Sequence, residues 1–421
     1  MKTKLLCTAL AVFFVLSGPT LTIKALENPF ATRSVLSRSL EQKNALVSVE
    51  AGQLLEFSAA DLERRLELEK GSLQGVTVTG LPDSQFGGLF VDGVEVADYE
   101  FLERSQLNKL CFAAATTVGT ATVSLLPQGK GAGTATLNIQ VLAQANRPPV
   151  LESLSLETGK NVSAYSYLTA WDPDGDPVRL QLISSPKKGE VTLSGMNLVY
   201  QPWQNKTGSD SFLLCAVDSK GAYSPESTVS VSIQKDKRSF FYVDMPLHPS
   251  QYAALMLHDV GVYTGEQIGG SYFFQPDLQR NRADFLVWLL TAAGMDVSLT
   301  PTVNTGLPDD ENIPLHYKRY VKKAVEEGLI SSSREFAWQE IPTRAECVVL
   351  TARAAKIGDV KTYPLTMADA DALPDWSVKS YRDLSAYRML DLYDGYAHPK
   401  APLTNAYAAD LCWQLYKHTH R

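Results

Sequence analysis

Residues 341–346, Ile-Pro-Thr-Arg-Ala-Glu, constrain the fold of this chain more than any other stretch. Thr343 and Glu346 have the spacing of a capping box, in which the threonine hydroxyl accepts from the N–H of the glutamate and the carboxylate accepts from the N–H of the threonine. The apolar residues that follow recur with helical spacing as far as Gly358. The stretch therefore predicts the start of an amphipathic helix.

Arg344 is the unexpected residue of this stretch, because the helix dipole disfavours a cation at the first helical position. One explanation is that Arg344 and the free N–H groups of the helix end converge on an anion. The other is that Arg344 pairs with a nearby carboxylate. The single copy leaves both explanations open.

The stretch recurs twice in the last third of the chain. Residues 281–284, Asn-Arg-Ala-Asp, repeat the cap, the arginine and the acidic third position, whereas residues 404–407, Thr-Asn-Ala-Tyr, keep only the cap. Arg282, Arg344 and Asn405 lie 62 and 61 residues apart. A period near sixty predicts three copies of one helical unit, over about 240–300, 301–360 and 361–421.

Length, charge and cysteine content limit the class of protein. The chain has 421 residues and a net charge of −7, with no basic stripe, so we expect about three domains and no nucleic-acid partner. Residues 1–25 combine a basic start with a short apolar run and predict a secretory signal peptide. No later apolar run is long enough for a membrane span. Cys111, Cys215, Cys347 and Cys412 lie in apolar runs and predict buried free thiols, although a Cys347–Cys412 bridge is an alternative.

The half of the chain before the repeats has the pattern of two β domains, over 26–145 and 146–236. Short alternating runs are separated by turn residues, and Asp92-Gly93 predicts a two-residue hairpin. Residues 146–149, Asn-Arg-Pro-Pro, form a linker, and about seven strands follow in roughly ninety residues, the size of an immunoglobulin-like sandwich.

The second β domain resembles the bacterial cadherin-like/Ig-like repeats of large surface proteins. The resemblance rests on residues 172–177, Asp-Pro-Asp-Gly-Asp-Pro, and on 207–212, Thr-Gly-Ser-Asp-Ser-Phe; the first β domain is similar to a diverged relative. Such repeats are spacers or adhesive units, and some bind calcium. Asp172, Asp174 and Asp176 are therefore calcium candidates, but Asp, Pro and Gly are also the residues that turns require. We expect a turn, and no cofactor or metal.

The three C-terminal copies resemble the S-layer homology (SLH) domain, with residues 341–346 as the most specific match. The resemblance implies an all-α spindle of three repeats over 240–421, following the two all-β sandwiches. It also implies binding of an anionic secondary cell-wall polysaccharide attached to peptidoglycan. Carried over position by position, Arg344, Arg282 and Thr343 would contact the polymer, and Trp376, Tyr317 and Tyr252 would line sugar-facing walls. Asn405 replaces the arginine in copy three, so we expect that groove to contribute least.

The sequence contains none of the catalytic motifs that one chain can reveal. We therefore expect no enzyme, but an exported protein held non-covalently at the bacterial cell wall, with its β domains as a spacer or S-layer-type surface that could self-associate. Two alternatives stay open. The β domains could form an adhesin for an external glycan or protein, or the first of them could hide a glycan hydrolase site.

Overall fold

The computed structural model describes residues 42–130, 133–236, 238, 240–298, 300 and 304–420; the predicted signal peptide, 1–25, lies outside them. The first β unit has two sheets, with strand orders β1-β9-β8-β3-β6 and β2-β7-β4-β5. Its elements are β1 (Lys43–Glu50), β2 (Leu54–Glu56), α1 (Ala59–Arg65), β3 (Leu73–Gly80), β4 (Gly87–Val91), β5 (Val94–Glu95), β6 (Phe101–Glu103), α2 (Arg104–Leu107), β7 (Leu110–Ala114), β8 (Gly119–Gly129) and β9 (Ala135–Leu142).

The second β unit contains a four-stranded sheet, β11-β18-β17-β14, a three-stranded sheet, β12-β16-β15, and the pair β10-β13. It has nine strands where the sequence suggested about seven: β10 (Val150–Leu151), β11 (Leu154–Gly159), β12 (Ala164–Tyr167), β13 (Ala170–Trp171), β14 (Val178–Ser184), β15 (Gly189–Ser194), β16 (Asn197–Pro202), β17 (Gly208–Asp218) and β18 (Ser227–Gln234). In both units an early strand joins the last one in parallel, β1 with β9 and β11 with β18.

Strict alternation builds the two β cores. Along β9, residues 135, 137, 139 and 141 are buried and the residues between them are not, so one face packs inward. The apolar faces form one core per unit, around Phe112 in the first and around Phe212 stacked on Tyr200 in the second. At the predicted hairpin, Val91 pairs with Val94 across Asp92 and Gly93, whose φ angles of 54° and 79° match a type I′ turn.

The C-terminal part is helical, apart from a small hairpin, and its helices come in three pairs. Each pair has a first and a second helix: α3 (Gln251–Asp259) with α4 (Arg282–Ala292), α5 (Leu315–Glu326) with α6 (Arg344–Ala355), and α7 (Asp375–Ala386) with α8 (Asn405–Thr419). The hairpin, β19 (Glu266–Ile268) and β20 (Ser271–Phe273), lies within the first pair. The second helices contact one another, and each first helix packs on a second helix of a neighbouring pair. No helix among the described residues is both long and apolar enough to span a bilayer.

The helical pairs are joined by a hydrogen-bond pattern that repeats three times. The first N–H of each second helix donates to a carbonyl in the loop of the next pair: Arg282 to Glu340 at 2.8 Å, Arg344 to Ala401 at 2.9 Å and Asn405 to Leu278 at 2.9 Å. That loop is held in turn by an aspartate that accepts two backbone N–H groups, at Asp244, Asp309 and Asp369.

The helical part and the second β unit share a packed interface. Val162, which follows β11, is buried in the same apolar cluster as the helices. The hydroxyls of Tyr252 and Tyr363 donate to Glu157 and Glu152 at 3.0 and 3.1 Å. The four cysteines of the described residues are free thiols, so no Cys347–Cys412 bridge forms. Both of these thiols are buried in the helical core, and burial raises their pKa.

Candidate functional site

The capping box at the start of α6 forms as its sequence predicts. The N–H of Thr343 donates to the Glu346 carboxylate at 2.7 Å, and the N–H of Glu346 donates to the Thr343 hydroxyl at 3.3 Å. The next two N–H groups donate to backbone carbonyls, Arg344 to Ala401 at 2.9 Å and Ala345 to Pro399 at 3.1 Å. The expectation that free N–H groups of this helix end meet an anion is therefore wrong, because protein acceptors already occupy them. Any anion contact at this position must come from side chains.

The Arg344 side chain has no carboxylate partner among the described residues. Its guanidinium carbon lies 4.4 Å from the centre of the Tyr407 ring, a cation–π contact. Its Nε is buried, and like the hydroxyls of Tyr407 and Tyr381 it has no hydrogen-bond partner in the described part of the chain. The two Nη atoms make no hydrogen bond within this part of the chain and reach the surface. Arg344 thus presents, at a helix start, a positive charge that forms no ion pair among the described residues.

Arg282 stands at the equivalent first position of α4, but its charge is neutralised. Its guanidinium forms ion pairs with Glu346 at 3.1 Å and Glu340 at 3.2 Å, and it donates to the Phe336 carbonyl at 2.7 Å. Only 18% of the side chain is exposed. The structure therefore corrects the expectation that Arg282 is available to a ligand, because acceptors from the next pair already hold it.

The difference between the two arginines follows from two positions of the next pair, because Glu346 and Glu340 beside Arg282 correspond to Tyr407 and Ala401 beside Arg344. The side chain of Arg282 contacts Glu346, the third residue of α6. The side chain of Arg344 contacts Tyr407, the third residue of α8. The carboxylate of Glu346 neutralises Arg282 by forming an ion pair, whereas the aromatic ring of Tyr407 leaves the contact at Arg344 with a net positive charge.

A guanidinium is also present at the start of α8, although Asn405 replaces the arginine at the first position of this helix. Arg280 Nε donates to Asn405 Oδ1 at 2.8 Å, and its Nη1 lies 3.4 Å from Asp284 Oδ2. Sequence reasoning missed Arg280. The available signal was a charged residue immediately before a helix cap, where the other two copies have the apolar Pro342 and Leu403. Asp284 neutralises this charge, so Arg344, unlike Arg282, is a first-position arginine without an ion pair in the described ranges.

The three predicted aromatic residues lie in different environments. Trp376 is the second residue of α7 and is 58% exposed. The Tyr317 hydroxyl donates to Asp284 at 2.6 Å, and burial together with this bond raises the pKa of Tyr317 to about 12. Tyr252 is only 8% exposed, because it packs at the interface with the second β unit. Its assignment to a sugar-facing wall of the helical part stays a prediction, although its hydroxyl is already bound by Glu157. Trp376 and Tyr317 stay predictions.

The acidic turn at residues 172–176 is occupied by the protein's own cations. Asp172 Oδ1 accepts the N–H groups of Asp174 and Asp176 at 2.8 and 3.3 Å, as in an Asx turn. Arg147 pairs with Asp174 at 2.6 Å, and Lys220 pairs with Asp176 at 2.9 Å. Backbone and side-chain hydrogen bonds from Arg147 lower the pKa of Asp174. The three carboxylates lie close enough to share an ion, but calcium would have to displace both basic side chains.

Residues 146–233 match the bacterial Ig domain family, which covers the second β unit. Bacterial Ig domains are typical of surface or extracellular proteins, and the neighbouring β sheets and C-terminal helices lie outside the match. A search of characterised proteins found no match to the chain.

Several solved structures resemble the β part at low identity. The fibronectin(III)-like modules of Clostridium thermocellum CbhA are 15% identical, over 45% of this chain and 90% of that one, with a TM-score of 0.21. The SrpA adhesin of Streptococcus sanguinis is 14% identical over 24% and 66%, with a TM-score of 0.18. An endo-fucoidan hydrolase of glycoside hydrolase family 107 is 16% identical over 45% of this chain, with a TM-score of 0.17, and this chain covers only 32% of it.

Proposed function

We propose that this protein, which contains a bacterial Ig domain, is exported and held non-covalently at the cell wall by its helical part, which binds an anionic wall polysaccharide attached to peptidoglycan. The helical part acts as an SLH-like module of three repeats. The β units act as a structural spacer at the surface, and the protein has a binding rather than a catalytic role.

The observation that carries this proposal is the unpaired charge of Arg344. A cation at a helix start is slightly unfavourable, and at the two equivalent contacts a carboxylate compensates it. At Arg344 the compensating group is missing among the described residues, and the Nη atoms reach the surface. An anionic ligand would supply the missing acceptor, and a charge-assisted hydrogen bond of this kind contributes about 1.5–3 kcal/mol.

Sedimentation of the full exported chain with purified cell walls tests the proposal. We expect the protein to bind intact walls and to lose binding when the secondary polymer is stripped chemically. Arg344→Ala should weaken binding about ten- to a hundredfold, because each 1.4 kcal/mol is tenfold in affinity. Asn405→Ala should have almost no effect on binding.

Arg319→Ala is the matched control, since Arg319 is an exposed arginine of α5 without an ion pair among the described residues. It removes the same charge from the helical part and should leave wall binding unchanged. If Arg344→Ala binds as Arg319→Ala does, or if stripped walls retain the protein, the proposal is wrong.

A second candidate is a surface adhesin, and one observation favours it. On the outer face of the first β unit, Phe101 and Leu126 flank Thr77 on neighbouring strands and are 42% and 43% exposed. Exposed apolar side chains in adjacent strands are a common feature of interaction surfaces. Cell-surface binding that survives polymer stripping and is lost in Phe101→Ser would favour this alternative.

A further inference from the structure

A cleft of about 480 Å³ lies between the second β unit and the helical part. Strands β11 and β12 form one wall, and α8 with residues 388–393 forms the other. Tyrosine hydroxyls tie the walls together, from Tyr252 to Glu157, from Tyr363 to Glu152 and from Tyr165 to the Leu247 carbonyl at 2.7 Å. These bonds connect the two sides of the cleft, and its volume is typical of ligand sites.

The lining of the cleft combines aromatic rings with hydrogen-bond donors and hydrogen-bond acceptors. Tyr167 and Trp413 are among its aromatic lining residues. Asp391 accepts from Gln414 through Oδ2 at 2.6 Å, and its Oδ1 has no partner among the described residues. The hydroxyls of Ser155 and Ser166 also have no hydrogen-bond partner among the described residues. Among these residues, the two basic side chains of the lining, Arg388 and Lys417, form no ion pair. A suitable ligand must therefore donate and accept at several points and offer apolar faces as well.

Other ligand classes fit this lining less well. Burial raises the pKa of Asp391 and of Asp410, which reduces the attraction for a cation. The remaining charged side chains of the lining balance, because Glu152 and Glu157 are matched by Arg388 and Lys417, so the cleft has no net attraction for an anion. In the described chain, the acidic turn at 172–176 is the one group of three side chains placed to share a metal ion, and it lies outside the cleft.

A shallower groove extends the cleft along the β sheet and shares Ser155, Leu156 and Ser232 with it. Ser155 pairs with Ser230, and Ser230 pairs with Ser211, so a row of exposed hydroxyls crosses three strands. This continuity provides room for a chain-like ligand that is longer than the cleft itself.

We propose that the cleft between the second β unit and the helical part binds a neutral saccharide, whose hydroxyls meet the mixed donors and acceptors and whose carbon faces pack on the tyrosine and tryptophan rings. This site is separate from Arg344 and does not depend on the proposed anchoring function.

Isothermal titration of the full chain with chitotetraose, cellotetraose and mannotetraose tests the proposal. At least one of these neutral tetrasaccharides should bind. Ser155→Trp fills the cleft from an exposed position and should weaken binding about tenfold or more, and Asp391→Asn should weaken it through the lost acceptor. Ser194→Trp and Asp371→Asn are matched exposed controls outside the cleft and should bind as the unmodified protein does.

Arg344→Ala separates the two sites, because it should retain saccharide binding whatever its effect on wall binding. The saccharide proposal is overturned if none of the three probes binds, if Ser155→Trp binds unchanged, or if the controls lose binding equally. None of these results depends on whether the wall-anchoring proposal holds.

Discussion

Arg282 and Arg344 occupy equivalent helix starts, and we predict that replacing them has opposite consequences. Arg282→Ala removes two ion pairs and a hydrogen bond to the buried Phe336, and it leaves Glu346 without its basic partner. Arg344→Ala removes a cation–π contact and leaves no carboxylate unpaired among the described residues. Arg282 should therefore matter for stability, and Arg344 for binding.

The contacts set the size of each effect. A hydrogen bond to a charged group contributes about 1.5–3 kcal/mol, and loss of one partner leaves the other desolvated. Solvent screening reduces the Arg282 ion pairs, because Glu346 and Glu340 are 38% and 66% exposed, so we expect a loss of about 2–3 kcal/mol. The cation–π contact of Arg344 contributes about 1 kcal/mol, and relief of the unfavourable dipole interaction offsets a few tenths of it.

Thermal unfolding followed by circular dichroism at a helix-sensitive wavelength measures this difference, because the helices lie in the C-terminal part. For a domain of the size of the helical part, a change of 1 kcal/mol in the free energy of unfolding shifts the unfolding midpoint by about 2–4 °C. Arg282→Ala should therefore lower the midpoint by roughly 5–10 °C and Arg344→Ala by at most about 4 °C. Arg319→Ala again controls for removal of a surface charge. Equal destabilisation by both replacements would refute the assignment, because it would mean that Arg344 has a structural acceptor.

Two further predictions concern the other charged groups of the chain. Hydrogen bonds from two lysines lower the pKa of Glu327 from 4.5 to about 2, so its stabilising effect is complete above pH 4.5 and is lost as the pH falls through about 2. Glu327→Gln should cost about 1 kcal/mol at pH 7 and almost nothing near pH 2, whereas the exposed Glu326→Gln should be neutral at both; urea unfolding at the two pH values measures this. Millimolar calcium or chelator should leave the melting point unchanged, because Arg147 and Lys220 already pair with the acidic turn at 172–176; a marked rise with calcium would contradict this.

Local signals in the sequence predicted the local features of the structure. The caps at Asn281, Thr343 and Thr404 each accept an N–H three residues later, because a helix cap depends only on neighbouring residues. The hairpin at Asp92-Gly93 forms for the same reason, since both residues tolerate positive φ. The β character of the first half and the helical character of the last third also follow from periodicity.

The roles of the site residues depended on contacts between distant residues. The sequence shows that Arg282 and Arg344 share a helix position, but their difference arises at Glu346 and Tyr407, which reach them only when the three pairs pack together. Arg280 enters the third contact in the same way, 125 residues from Asn405 along the chain.

Burial at the interface likewise could not be predicted from the chain alone. Tyr252 has the sequence pattern of a groove residue, yet it is buried at the interface with the second β unit. There its hydroxyl donates to Glu157, on a strand 95 residues earlier in the chain. The sequence by itself determined where helices, strands and caps begin, because those depend on local backbone hydrogen bonds and side-chain periodicity. Only the tertiary structure decided which charges are compensated and which surfaces are open, because Coulomb energy and burial depend on distances in space and on neighbours far apart in the chain.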